Sequence, residues 1–160
     1  MHFQIQVPVK LYVKDYYENS YGSPVFASKD NIVGIITEPF LQKTPSKPEF
    51  SDHASPLLIT LSWAGMYRGF KDVRVHNYVS PHNSKLLGKA LEKIFWNIFY
   101  AFMNANVYSP NEVKITHMIE KFMNINDIDP MNGSLEMFTK AYYRYTKKSF
   151  AHLSNKYKAS

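Results

Sequence analysis

Ser80-Pro81 opens a stretch whose apolar residues Leu87, Leu91, Ile94, Phe95, Ile98 and Phe102 recur at helical period. The spacing predicts a long helix, with Pro81 in its first turn, where a missing backbone N–H costs nothing. Its second half, FWNIFYAFM (95–103), is apolar nearly all round. A helix that is apolar on every side is either central in a core or shared with another subunit. In a chain of 160 residues, sharing is a credible solution. Phe95, Ile98, Phe99 and Phe102 are therefore the candidate interface of a homodimer.

The rest of the chain is arranged around that helix. Leu57, Ile59, Leu61 and Trp63 alternate with other residues, as do Val73, Val75 and Val79, and Gly65 and Gly69 lie between the two runs. Such a pattern predicts a two-stranded ribbon packed on the long helix. Upstream, Phe3, Ile5 and Val7 alternate as a short strand would. Val9, Tyr12, Val13, Tyr16 and Tyr17 follow at helical spacing after Pro8, and Gly22 suits a C-terminal cap. The alternation can also continue to Val13 as one long strand with Pro8 at an edge; the helix fits better. Ser28 is placed to cap a short helix carrying Ile32, Ile35 and Ile36, which ends before Pro39.

Residues 42–56 contain Pro45, Pro48 and Pro56 among polar side chains and read as an extended connection, or as an arm reaching a partner subunit. Ser109-Pro110-Asn111-Glu112 has the form of a capping box, which predicts a helix to about Met123 with Ile115, Ile119 and Phe122 inward and Met118 alongside. NINDIDPMNG (124–133) is a break. Ser134 can then cap a last helix whose Leu135, Phe138, Tyr142 and Tyr145 face the core. The expected fold class is α+β, mainly α-helical, in one domain spanning 1–160. Its subregions are 1–41 (strand and helices), 42–56 (loop), 57–104 (ribbon and long helix) and 105–160 (C-terminal helices with a basic tail).

Charge is distributed unevenly. Six of the 19 Lys and Arg residues lie between Thr139 and Ser160: Lys140, Arg144, Lys147, Lys148, Lys156 and Lys158. No acid accompanies them, and the remaining 13 basic groups are balanced by all 13 acids. The net charge of +6 thus resides in the last 22 residues. A local excess of one sign produces a field that a mixed surface cancels, so this segment suits a polyanion. Lys140, Arg144, Lys147 and Lys148 fall at i, i+4, i+7 and i+8, on one helix face apart from the core residues. Tyr143 lies among them, and a ring beside cations serves stacking and phosphate contact together.

Other chemistries find little material. There are no cysteines, which excludes a disulfide framework, a thiolate metal site and a Cys nucleophile. His2, His53, His76, His82, His117 and His152 form no zinc-binding pair at helical spacing. With six glycines, the chain shows neither a phosphate-cradling loop nor a nucleophile elbow. Glu112-Val113-Lys114 echoes an acid-x-Lys nuclease element, but the capping box puts it on a helix where such enzymes use a strand. Asp127 and Asp129 sit in a break, where Asp ordinarily supports backbone turns. The expectation is a non-enzyme without cofactor or metal. At 45% apolar and 20% charged residues, the composition is globular, and no apolar run approaches the length of a membrane span. A soluble cytoplasmic protein, with no membrane partner, is expected.

The segment RVHNYVSPHN leading into the long helix, then two shorter helices ending in KAYYRYTKK, resembles the middle-operon transcription activators of transposable phages. That resemblance covers about Val73–Lys148 in element order and charge. It implies a strand-and-helix dimerisation unit followed by a DNA-binding helix-turn-helix, with Lys140, Arg144, Lys147 and Lys148 contacting double-stranded DNA. The break at Asn124–Gly133 is longer than the three- or four-residue turn of that motif. The whole chain also resembles small uncharacterised proteins carried by phages and mobile elements of Bacteroidetes, through a helix ending in Tyr-Gly, a Pro-rich middle and a C-terminal Tyr-Tyr-Arg. A ribbon-helix-helix arrangement is a further DNA geometry, in which Arg74, His76 and Tyr78 would face bases from a strand. The rival expectation is a structural or assembly protein of a virion or other complex, suited by the aromatic surplus of 12 Tyr and 11 Phe.

Overall fold

In the computed structural model, residues 2–49, 54–62, 71–107 and 114–158 are described, with the side chains of 62 and 149–158 outside that description. The chain is α+β and mainly helical, as its periodicities predict. It divides into two compact units, Met1–Phe95 and Trp96–Ser160.

The first unit is built on a three-stranded sheet. Strand β1 (His2–Val7) lies antiparallel to β4 (Leu57–Ser62), with Ile5 opposite Ile59 and Val7 opposite Leu57. Strand β2 (Val25–Ala27) pairs parallel to β4 on its other side, giving the order β1-β4-β2. Ile5, Val7, Leu57, Ile59 and Leu61 are buried, so the alternation read at these two runs marks the core face; Val25 and Ala27, on a strand the sequence does not announce, are buried as well. Helix α1 (Leu11–Tyr21) starts three residues after Pro8. It buries Tyr12, Val13, Tyr16 and Tyr17 and ends where Gly22, at φ 86°, donates its N–H to Glu18 O at 2.8 Å. A side-chain-bearing residue is strained at that φ, which is the reason for glycine there.

Helix α2 (Ile32–Thr37) is capped by Asn31 and not by Ser28. The Asn31 Oδ1 accepts from Gly34 N at 2.8 Å, while the Ser28 Oγ accepts from Asp30 N at 3.2 Å. Gly34 approaches so closely that an added Cβ would lie 2.0 Å from Ser28 O.

Among the described residues, the expected ribbon between the runs at 57–62 and 73–79 does not form; Trp63 lies outside them. The second run contributes β5 (His76–Tyr78), which pairs antiparallel with β3 (Gln42–Lys43), the start of the segment read as a loop. Alternation identifies a strand without naming its partner, and β4 satisfies both its edges within the larger sheet. Residues 44–49, 54 and 55 are exposed and form neither helix nor strand, with bends at 46–47 and 54–55.

Helix α3 (Pro81–Val107) contributes its first half to one unit and its second half to the other. In the first unit Leu87, Leu91 and Phe95 are fully buried, and Phe95 packs against Tyr12 and Tyr16 with ring centroids 5.3 Å from each. The Tyr17 hydroxyl donates to Leu91 O at 3.0 Å, and Ser84 Oγ donates to Gln6 O at 2.6 Å.

The second unit joins that half of α3 to α4 (Ile115–Ile125) and α5 (Leu135–Lys158). The capping box at 109–112 lies outside the described residues. Met118, Ile119, Phe122 and Met123 of α4 are buried, with Ile115 half-buried. Phe99 sits at the centre of an aromatic cluster, 5.1 Å from Phe122 and 5.2 Å from Phe138 between ring centroids. The connection from Asn126 to Ser134 is tightly held: Ile128 N donates to Met123 O at 2.9 Å, and Asp129 O accepts from Asn132 N and Gly133 N. These nine residues, 126 to 134, exceed a helix-turn-helix turn. Ser134 caps α5 as expected, its Oγ accepting from Met137 N at 3.2 Å.

Candidate nucleic-acid interface

Helix α5 separates core from charge by its own period. Phe138 is fully buried against Trp96, Phe99 and Phe122, and Tyr142 is buried four residues on. Three residues further, Tyr145 stacks on Tyr100 with centroids 4.1 Å apart and planes within 6°, while its hydroxyl accepts from Asn104 Nδ2 at 3.0 Å. Burial, with Tyr145 beside it, pushes the Tyr100 hydroxyl pKa up. The i, i+4, i+7 series 138, 142, 145 therefore fixes the rotation of α5 about its axis.

With that rotation fixed, Lys140, Tyr143, Arg144, Lys147 and Lys148 are all exposed. Tyr143 keeps 55% of its surface accessible. Lys140 is not an open cation: its ammonium pairs with Glu136 one turn earlier, and this lowers the Glu136 carboxyl pKa. A charge count beginning at Thr139 leaves out that acid, although i, i+4 spacing announces the pair. Arg144, Lys147 and Lys148 have no ion-pair partner among the described residues. Lys156 lies in the last turns of α5 and Lys158 ends it; their side chains are outside the described residues. Basic residues late in a helix and Glu136 in its first turn also complement the macrodipole, a purely structural benefit.

The strand residues proposed for base contact are otherwise engaged. Tyr78 is buried, and its hydroxyl donates to Glu49 O at 2.9 Å and accepts from Glu49 N at 3.2 Å. Arg74 precedes β5 and grips Asp72, with Nη2 2.7 Å from Oδ2 and Nε 3.0 Å from Oδ1. Hydrogen bonds from Arg74 hold the Asp72 carboxyl pKa below its ordinary value. His76 is half-buried in β5, with Nδ1 buried and lacking a hydrogen-bond partner. With β5 paired to β3, Tyr78 turns inward while Arg74, before the strand, is exposed and His76 is half-buried, so the three do not share one outward strand face.

The four candidate dimer residues also divide. Phe95 and Phe99 have no exposed surface, being consumed by contacts inside the chain, whereas Ile98 and Phe102 are half-buried. The buried series 87, 91, 95, 99, 103 advances by four, and Ile94, Ile98 and Phe102 flank it. Among the described residues no three His, Asp or Glu side chains gather as metal ligands, and no helix is long and apolar enough to cross a membrane. Comparison with known protein families, curated proteins and solved structures found no match for this chain.

Proposed function

We propose that this protein binds double-stranded DNA through the exposed face of α5, with Arg144, Lys147 and Lys148 on phosphates and Tyr143 stacking or packing beside them. The observation that carries this reading is the trio of exposed cations without acidic partners, on a helix whose opposite side is locked by Phe138, Tyr142 and Tyr145. A solvated helix end needs no such one-sided excess, and phosphate neutralisation is the dominant sequence-independent term in DNA affinity. Lys140 contributes less than its position suggests, since Glu136 competes for it. A non-enzymatic transcription regulator of a phage or mobile element is the role that the family resemblance adds. A homodimer would use the Ile98 and Phe102 edge of α3.

Fluorescence anisotropy with a labelled duplex, at two salt concentrations, tests the reading. The parent protein should bind with a log K against log salt slope of about −0.9 for each phosphate contact. Replacing Arg144, Lys147 and Lys148 together by Ala should flatten that slope by nearly three units and weaken binding to all sequences alike. Unchanged affinity in the folded triple variant, or no binding by the parent at low salt, overturns it.

A second reading, a structural or assembly protein, is favoured by Met131 and Ile125. Met131 is 91% exposed and Ile125 57%, beside a connection that backbone hydrogen bonds hold in place. Apolar side chains fixed outward suit a protein neighbour. Under this reading the triple Ala variant keeps its assembly behaviour while Met131→Ser loses it.

A further inference from the structure

Pro8, Val9 and Lys10, between β1 and α1, lie against the first turns of α3 and leave a groove of about 330 Å³ lined also by Lys85, Gly88, Lys89 and Glu92. Gly88 makes the groove possible: an added Cβ would lie 2.1 Å from Pro8 O, so only glycine admits the connection this close to α3. Three lysines converge there from two segments, all exposed and without an ion-pair partner among the described residues. The Glu92 carboxylate is half-buried at the same groove and oriented by the Tyr12 hydroxyl, which donates to Oε1 at 3.1 Å.

We infer that this groove binds a small organic phosphate, the phosphate meeting Lys10, Lys85 and Lys89 and a hydroxyl of its body donating to Glu92. Lysine ammonium groups serve phosphate as mobile point charges, and the volume lies at the lower end for small-ligand sites. The wall formed by Pro8, Val9 and Gly88 supplies apolar contact to the ligand's body. Helix α1 begins beside the groove with neither a side-chain cap nor an acid in its first turn, so its positive end adds to the field. Glu92 argues against a nucleic-acid backbone here, because a carboxylate among the lysines repels a continuous row of phosphates. It accepts a hydroxyl readily.

Calorimetric titration of the full chain with ribose 5-phosphate and with inorganic phosphate, at low salt, tests the site. Ribose 5-phosphate should bind saturably and more tightly than inorganic phosphate. Lys85→Ala with Lys89→Ala should weaken it tenfold or more, as should Lys10→Ala to a lesser degree, with circular dichroism unchanged because these side chains are exposed. Glu92→Gln should reduce the preference for ribose 5-phosphate over inorganic phosphate. Absence of saturable binding, or equal binding by the folded double-lysine variant, overturns the proposal. So does a double-lysine variant that loses duplex binding as the α5 triple variant does while phosphate titrations of the parent show nothing, since the groove would then belong to the DNA-binding surface.

Discussion

Phe138→Ala should be among the most damaging substitutions in the second unit. Phe138 has no exposed surface and its ring meets Trp96, Phe99 and Phe122 at centroid distances of 5.5, 5.2 and 6.4 Å. Truncating a buried Phe to Ala costs about 3–5 kcal/mol, through lost transfer energy and the cavity left behind. Three aromatic neighbours place this site toward the upper end, since each pair adds about 0.5–1.5 kcal/mol beyond area. With a urea m value of about 2 kcal/mol/M, the midpoint should fall by about 1.5–2.5 M. The natural probe is Trp96, which touches Phe138; Trp63→Phe leaves it as the sole tryptophan and makes its fluorescence report on this unit. The control is Tyr143→Ala, five residues on and exposed, which should change stability by no more than about 0.5 kcal/mol. A Phe138→Ala loss below about 1 kcal/mol, or one equal to that of Tyr143→Ala, would refute the aromatic anchoring of α5 and with it the fixed outward face for Arg144, Lys147 and Lys148.

Asn31→Ala should cost about 1 kcal/mol by removing the cap on Gly34 N, whereas Ser28→Ala should cost less; paired chemical melts check the difference. Gly34→Ala should be worse than either, because its Cβ meets the Ser28 backbone, and loss of the cooperative transition would be the readout. Burial pushes the Tyr17 hydroxyl pKa well above its ordinary value, with Tyr16 and Tyr21 adding to the effect. The unfolded chain therefore loses this proton first as pH rises past about 10, and stability, complete below that pH, should decline above it. In Tyr17→Phe the alkaline decline should be shallower, and tyrosinate absorbance of the parent should lag until the protein unfolds. Analytical ultracentrifugation should show a dimer that Ile98→Asp with Phe102→Asp dissociates; a monomeric parent at high concentration would remove the α3 edge as an interface.

Legibility of the fold follows the range of each interaction. The Gly22 cap, the Ser134 cap and the stripes of α1, α4 and α5 depend on residues within two turns, and those appear in the sequence as spacing. Strand pairing depends on partners tens of residues away. Nothing local says that Leu57–Ser62 joins residues 2–7 and 25–27 while His76–Tyr78 joins 42–43. Element order and alternation alone leave Tyr78 free to face outward, and its Glu49 partner, 29 residues distant, holds it inward. On α3 the obstacle is different: a nearly all-apolar run reveals little about direction, so Phe99 and Ile98 look alike in sequence although of the two only Phe99 lacks exposed surface. In α5 the inward and outward faces are legible because apolar and charged residues recur at helical period. Tyr142 and Tyr143 are identical in chemistry and adjacent in sequence, yet a rotation of about 100° puts one in the core and the other beside Arg144 and Lys147. Partition of that kind needs no distant partner to be read. It makes the α5 face the one candidate DNA surface whose outward presentation follows from the same residues that hold its helix down.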